Sequence, residues 1–519
     1  MSSPNQTPQV QPVILRGRWV IANDGTGHRV IEDSGVLVKD GQIAEIGPWK
    51  ALRDANPGVE VRGSEKTAVL PGLINAHHHA IGISKLQFGV EDDVLEPWIA
   101  AGAAMRLQDP ELKTLFSTYR LLRSGVTSVV DMASSRGAAE TVEPEFDAVL
   151  RAYDTSGIRA CVAVGVHERS FLVYGPGQDE AFLNQLPADL ARDIMTHLQP
   201  KARMPAAEHL DLIAAKAEAY RDHERMSVWF GPPGPNWVSD SLLQNMAEAA
   251  ERLDIGIQTH GVESLLEKLT GPREYGTSTI LHLRDLGVLG PRLSFAHGVW
   301  TTDADIEAIA ESGAAVCHNP SSNLRLRSGI APLESMRAAG MTVGLGMDAT
   351  TIGDDEDMFA EMRLALRLHR SPKMADTAPY APDIFDLATT GGARLMRREA
   401  DLGRIAVGAT ADLVLLDLER ISWPYVAPEV DPLTFIVLRA RAEDVRDVLV
   451  GGETVIADGR PTRFDIEEVA KELADRVAAQ PYPKEAAAAI ARFAPELRKW
   501  YATWSTEGLE PRIDYNSRV

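Results

Sequence analysis

Three consecutive histidines close the run Pro71-Gly72-Leu73-Ile74-Asn75-Ala76-His77-His78-His79, directly after the apolar pair Leu73-Ile74. Successive side chains of an extended chain point to opposite faces. His77 and His79 therefore share one face and His78 turns away. Two imidazoles on one side of a strand end suit a borderline metal such as zinc, which takes nitrogen ligands at about 2.0–2.1 Å. A histidine cluster filling a polar pocket is the plainer alternative. Other chemistry-bearing residues end apolar runs further along: Asp131, His260 with Glu263 three residues on, His297, His318 and Asp348. Buried strands of a purely structural core have no reason to collect histidines at one end, so the coincidence favours a functional site.

The elements that must position these residues read as an alternation of apolar run and helix. Candidate buried strands are Leu73–His77, Val126–Val130, Ile158–Val164, Ser227–Gly231, Ile255–His260, Leu293–His297, Ala314–His318 and Thr342–Asp348. Helical stretches such as Pro110–Arg123, Asp240–Leu253 and Thr302–Ser312 lie between them, the last opened by a Thr302 cap and acidic first-turn residues. Eight parallel strands alternating with helices predict an α/β fold, a (β/α)8 TIM barrel, with its chemistry at the C-terminal strand ends. Short β-like runs between residues 12 and 70 are answered by Asp412–Leu416 and Val445–Gly452, which predicts a composite β-sandwich built from both chain ends. The expected division is 1–69 and 399–462 for the sandwich, 70–398 for the barrel, and 463–519 for a helical extension. In that extension Asp465-Ile466-Glu467-Glu468 reads as a capping box, followed by the stripe Ile466, Val469, Leu473 and Val477.

Composition narrows the function. The formal charge of −21 argues against nucleic acid as a partner, because phosphate repels an acidic surface. No uninterrupted apolar run reaches the ~18 residues of a membrane span. The two cysteines, Cys161 and Cys317, lie in apolar runs and fit a reducing compartment, not a disulfide framework. The polar start Met1-Ser2-Ser3-Pro4-Asn5-Gln6 lacks the order of a signal peptide. A soluble cytoplasmic protein with a small-molecule substrate is expected.

The motifs, in order, resemble those of the amidohydrolase superfamily. The Pro71–His79 run is similar to its strand-one metal motif, and Gln258-Thr259-His260-Gly261-Val262-Glu263 to its strand-five His-x-x-Glu. Ser294–Gly298 and Gly344–Asp348 resemble its strand-six histidine and strand-eight aspartate. His318-Asn319-Pro320-Ser321-Ser322-Asn323-Leu324 resembles one branch, that of the s-triazine hydrolases, guanine and 8-oxoguanine deaminases and related chlorohydrolases. The resemblance spans roughly residues 12 to 460. It implies one divalent metal per subunit, zinc or else iron, held by His77, His79, His260 and Asp348. A homo-oligomer of two or more chains is expected. The resemblance places Glu263 and His297 beside the attacking water, with Asp348 also accepting its proton. Gly231 and Pro232 stand where binuclear members carry a carboxylated lysine, which favours a single metal.

The implied reaction is attack of a metal-activated hydroxide on an sp² carbon, breaking the C–N bond of a purine-like or triazine-like ring by deamination or dealkylamination. Hydrolysis of a urea, amide or carbamate is the alternative, and a non-catalytic binding protein on the same fold is a remote one. Trp98 and Trp237 are candidates to stack on a planar substrate. His167, His318 and Asn323 are candidate substrate contacts, and a structural hydrogen bond is the plainer role for His318. The run Asp354-Asp355-Glu356-Asp357 reads as a solvated loop and helix cap. The long connection from His167 to Arg225 is a candidate lid over the mouth.

Strand alternation makes a direct prediction. His78→Asn leaves metal content and turnover close to normal, whereas His77→Asn loses both. Metal analysis of the two purified variants checks the register, and metal loss in His78→Asn with retention in His79→Asn would shift it by one residue.

Overall fold

A computed structural model describes residues 11–135, 138–198, 203–370, 379–507 and 509. The polar N-terminal run and the last residues of the extension lie outside the described residues. Four strands precede the first histidine motif: β1 (Val13–Asn23), β2 (His28–Lys39), β3 (Gln42–Pro48) and β4 (Glu60–Pro71). Eight follow: β5 (Leu73–His78), β6 (Val126–Ala133), β7 (Arg159–Val164), β8 (Met226–Phe230), β9 (Ile257–Gly261), β10 (Leu293–His297), β11 (Ala315–His318) and β12 (Thr342–Leu345). The chain ends its strands with β13 (Leu413–Asp417), β14 (Val445–Val450), β15 (Glu453–Ala457) and β16 (Arg460–Pro461).

Strands β5 to β12 pair in sequence order as one parallel eight-stranded sheet. The expected barrel is present. Its residues are buried along nearly the whole of each strand, as a sheet covered by helices on one side and filled on the other requires. Closure is local: a parallel bridge joins His78 to Asp348, and the Asp348 amide donates to the His77 carbonyl at 2.9 Å. The eighth-strand Asp348 and the first-strand histidine run are thereby bonded through their backbones.

The second sheet runs β16-β15-β14-β13-β4-β1-β2-β3. Its two halves meet where β13 pairs antiparallel with β4, Leu413 opposite Pro71 and Leu416 opposite Ala68. This pairing is the composite sheet expected from both chain ends. A buried ion pair ties it to the barrel. Arg159 on β7 donates to both oxygens of Asp412, at 3.2 and 3.1 Å, and Asp412 also accepts the Gly451 amide at 2.7 Å.

The long connection after β7 is not a bare loop. It contains the helices Gln178–Leu183, Ala188–His197 and Ala206–Ala219. The first two are covered by the C-terminal helix Lys484–Tyr501, whose Phe493, Leu497 and Tyr501 share a buried cluster with Phe182, Leu190 and Ile194. Arg492 of the same helix bonds Asp189 and Asp193. The preceding helix Ile466–Ala478 buries Val469, Leu473 and Val477 against Leu112 and Leu115. Asp465 caps it by accepting the amides of Glu467 and Glu468, while the reciprocal side-chain bond of a capping box is not among its contacts. A full box does open the helix Asp303–Ser312, at Thr302. Among the described residues no helix is long and apolar enough to cross a membrane.

Replacing Arg159 by Met should strand a buried carboxylate, and removal of one partner of a buried pair costs about 3–5 kcal/mol. Urea unfolding should show a clearly lowered midpoint for Arg159→Met, and a smaller loss for Arg159→Met/Asp412→Leu, which leaves no unpaired charge.

Candidate metal centre

Barrel closure brings the strand ends together. Asp348 Oδ1 stands 3.5 Å from His77 Nε2 and 3.2 Å from His79 Nε2, and its Oδ2 stands 3.8 Å from His297 Nε2. His79 Nε2 lies 3.2 Å from His260 Nε2, with the two rings stacked. Ligand-capable atoms of His77, His260, His297 and Asp348 all fall within 4.8 Å of one another.

The opposite nitrogens explain this arrangement. His79 Nδ1 donates to the Met132 carbonyl at 3.0 Å and His260 Nδ1 to the Pro233 carbonyl. A carbonyl only accepts, so in both rings the proton sits on Nδ1 and the Nε2 lone pair is free. His77 Nδ1 donates to Gln258 Oε1 at 2.9 Å, an orientation fixed because Gln258 Nε2 donates to the Ala76 carbonyl at 2.9 Å. His297 Nδ1 donates to Asn323 Oδ1 at 2.7 Å, a shorter contact than the 3.4 Å approach of Asn319 Nδ2. Four Nε2 lone pairs and a carboxylate thus face one centre. Two lone pairs cannot bond each other, so the short His79–His260 approach needs a common partner. His77 Nε2 and His297 Nε2 are fully buried without any hydrogen-bond partner. Burial pushes His79, His260 and His297 each down to about 3, which keeps these rings neutral at pH 7. A divalent cation fits this donor set.

The backbone at the rim is strained. His297 has φ 76°, Asp348 φ 53°, Val262 φ 45° and Ala80 φ 43°. A β-branched residue such as Val262 rarely adopts the left-handed region, and four such residues at one barrel mouth show strand ends bent to aim their side chains inward.

Glu263 follows Val262 and is buried, with Oε2 at 3.4 Å from His297 Nε2 and Oε1 without a partner. Burial, with Glu267 close by, pushes its carboxyl well above the ordinary range. Its amide donates to Glu267 Oε2 at 2.6 Å, and burial raises Glu267 to about 7.

The other candidates are distributed unevenly. Asn323 touches His297 directly. His318 is buried and turns to His369, Nε2 to Nε2 at 2.9 Å. His167 Nε2 bonds the Arg169 carbonyl at 2.8 Å, and its ring lies 5.9 Å from that of Trp237, which in turn meets Tyr174 at 5.8 Å. Trp98 is largely buried with Leu95 and Leu326, and Lys85 Nζ sits 3.1 Å from its ring centroid. His78 faces away from the other histidines: its Nδ1 accepts the Ala80 amide at 3.1 Å and its Nε2 lies 3.6 Å from Glu356. Glu356 is buried against His78 and Arg120, so the acidic run is not wholly solvated as expected; Asp357 does cap the helix Met358–Leu368. Gln258, bonded to His77, and Ser322, whose hydroxyl donates to Asp348 Oδ2, are contacts of the cluster that the sequence did not single out. Gln258 carried a signal, because it lies two residues before His260 on the same strand face.

Residues 68–455 match the amidohydrolase family. The chain belongs to that family. It is a hydrolase acting on carbon–nitrogen bonds. It is 30% identical over 466 residues to the 5-methylthioadenosine/S-adenosylhomocysteine deaminase of Nitratidesulfovibrio vulgaris, covering 89% of this chain and 95% of that one. It is 29% identical over 466 residues to the 5′-deoxyadenosine deaminase of Methanosarcina mazei, covering 89% and 96%. A zinc-bound adenosine deaminase from Xanthomonas campestris superposes with a TM-score of 0.74 at 26% identity, over 91% of this chain and 100% of that one. The zinc complex of an atrazine chlorohydrolase from Arthrobacter aurescens shares the fold, with a TM-score of 0.72 at 22% identity over 90% and 100% of the two chains.

Gln258→Leu removes the acceptor that fixes the His77 tautomer without touching a cation donor. Metal affinity should fall about 10- to 100-fold, read as metal retained against a graded chelator. Unchanged retention would show that His77 is oriented by other groups.

Proposed function

We propose that this hydrolase removes an exocyclic amino group from a purine-like nitrogen heterocycle, with adenine-type nucleosides as its substrate class. The observation that carries the reading is the unpartnered, buried Oε1 of Glu263 beside the histidine–aspartate cluster. A carboxyl group there, whose protonated form burial favours, can hand a proton to a ring or leaving nitrogen. The relatives named as deaminases of adenosine derivatives support the substrate class, and the zinc reported in the Xanthomonas campestris deaminase supports zinc as the metal.

In this reading His77, His79, His260 and Asp348 hold the metal. A divalent cation held there supplies a Lewis acid that makes water a nucleophile near neutral pH. His297 is set outside the ligand set because it is the imidazole whose Nε2 faces Glu263, at 3.4 Å. With its proton committed to Asn323, His297 accepts at Nε2 and orients the attacking water. Asp348, whose Oδ2 is steadied by the Ser322 hydroxyl, takes the proton that water gives up. Glu263 delivers a proton to the departing nitrogen.

Two measurements test this. Ammonia release is followed with 5′-deoxyadenosine, adenosine, an aminotriazine and a phenylurea, before and after chelation. Chelator-sensitive release from the adenine nucleosides is expected; turnover of the phenylurea alone would replace ring deamination by urea hydrolysis. Glu263→Gln should keep its metal and lose about 10²- to 10⁴-fold in the single-turnover rate. A variant with wild-type metal and wild-type rate would assign the proton to another group.

A further inference from the structure

The C-terminal helix Lys484–Tyr501 lies outside the residues that match the family, yet a chain of hydrogen bonds runs from its last residue to Glu263. The Tyr501 hydroxyl accepts the Tyr174 amide at 2.8 Å. The Tyr174 hydroxyl donates to Glu96 Oε1 at 3.2 Å, and the same oxygen accepts from Ser264 Oγ at 2.6 Å. Ser264 is the N-cap of the helix Leu265–Glu274 and its hydroxyl accepts the Glu267 amide at 3.2 Å. Glu267 returns its carboxylate to the Glu263 amide at 2.6 Å.

Each link depends on the one before it. Ser264 Oγ has one proton, and spending it on Glu96 leaves its lone pairs directed at the helix amide. That cap holds the first turn of Leu265–Glu274, and the first turn carries Glu267. Glu267 in turn holds the backbone of Glu263, next to the left-handed Val262. Glu96 comes from the connection after β5, Tyr174 from the connection after β7, and Tyr501 from the extension. Tyr174 and Tyr501 are both buried, so an amide that loses the Tyr501 hydroxyl has no water to replace it.

We infer that Tyr501 is a positioning residue for the reaction: through Tyr174 and Glu96 it fixes the cap that aims Glu263 at the centre. The inference rests on the assignment of Glu263 as the proton carrier. The C-terminal extension is on this view part of the active-site wall.

The test uses the full-length metal-loaded protein and Tyr501→Phe, which deletes one oxygen and keeps the ring against Trp504, whose centroid is 5.0 Å away. Metal content should be unchanged. Amide exchange in residues 262–267 should quicken about five- to tenfold, while residues 293–297 keep their protection. Unchanged exchange at 262–267 overturns the inference whatever the substrate proves to be. With 5′-deoxyadenosine, Tyr501→Phe should lower kcat about five- to tenfold and leave KM within about twofold, the effect of roughly one hydrogen bond acting on the chemical step. The same substitution in Glu263→Gln should cost nothing further, because the residue it serves is already gone. An equal loss in both backgrounds would mean a general structural role for Tyr501. Full activity in Glu263→Gln alone would instead remove the proton-carrier assignment, so the two failures read differently.

Discussion

Mutual avoidance of lone pairs governs this molecule. Four imidazoles present Nε2 to one buried carboxylate, and each is locked into that tautomer by an oxygen on its far side. Without a cation the arrangement would repel itself in a low-dielectric interior, where unpaired polar atoms are costly. The oxygens responsible are two backbone carbonyls and two side-chain amides, each on the side of its ring away from the centre. Orientation is therefore decided one layer out from the centre, and that layer is built into the strands.

The rest of the fold serves that convergence. Parallel strands deliver their C-terminal ends to a single mouth, and the backbone bond between Asp348 and His77 closes the ring where the first and eighth motifs meet. The composite sheet holds the barrel from the outside through Arg159 and Asp412, charges that would be costly to bury singly. The strained φ angles of Val262, His297 and Asp348 are tolerated because the surrounding packing and hydrogen bonds leave no relaxed alternative.

Around the mouth, the chain uses parts that lie far apart in sequence. The first two helices after β7 are clamped by the C-terminal helix and form a built wall. Glu96 and Ser264 meet across 168 residues. Three carboxyl groups, Glu96, Glu263 and Glu267, share this wall, and burial raises all three above the ordinary carboxylate range. Burial in such a wall favours the protonated form of each group over the charged one.

Local rules made much of this legible in the sequence. Alternation put His77 and His79 on one face and turned His78 away, because a strand leaves a side chain only two directions. Apolar runs ending in polar residues marked the barrel strands and their active ends, since a covered parallel sheet needs continuous burial until the mouth. The matching runs at both chain ends announced the shared sheet. Only the tertiary structure decided which oxygens hold each Nδ1, that Glu356 is buried while Asp357 caps a helix, and that His318 turns to His369. It also decided that Tyr501 reaches the Glu263 loop at all. Those outcomes depend on which distant side chains share a cavity, and a hydrogen bond between residues hundreds of positions apart leaves no period or spacing in the sequence from which to read it.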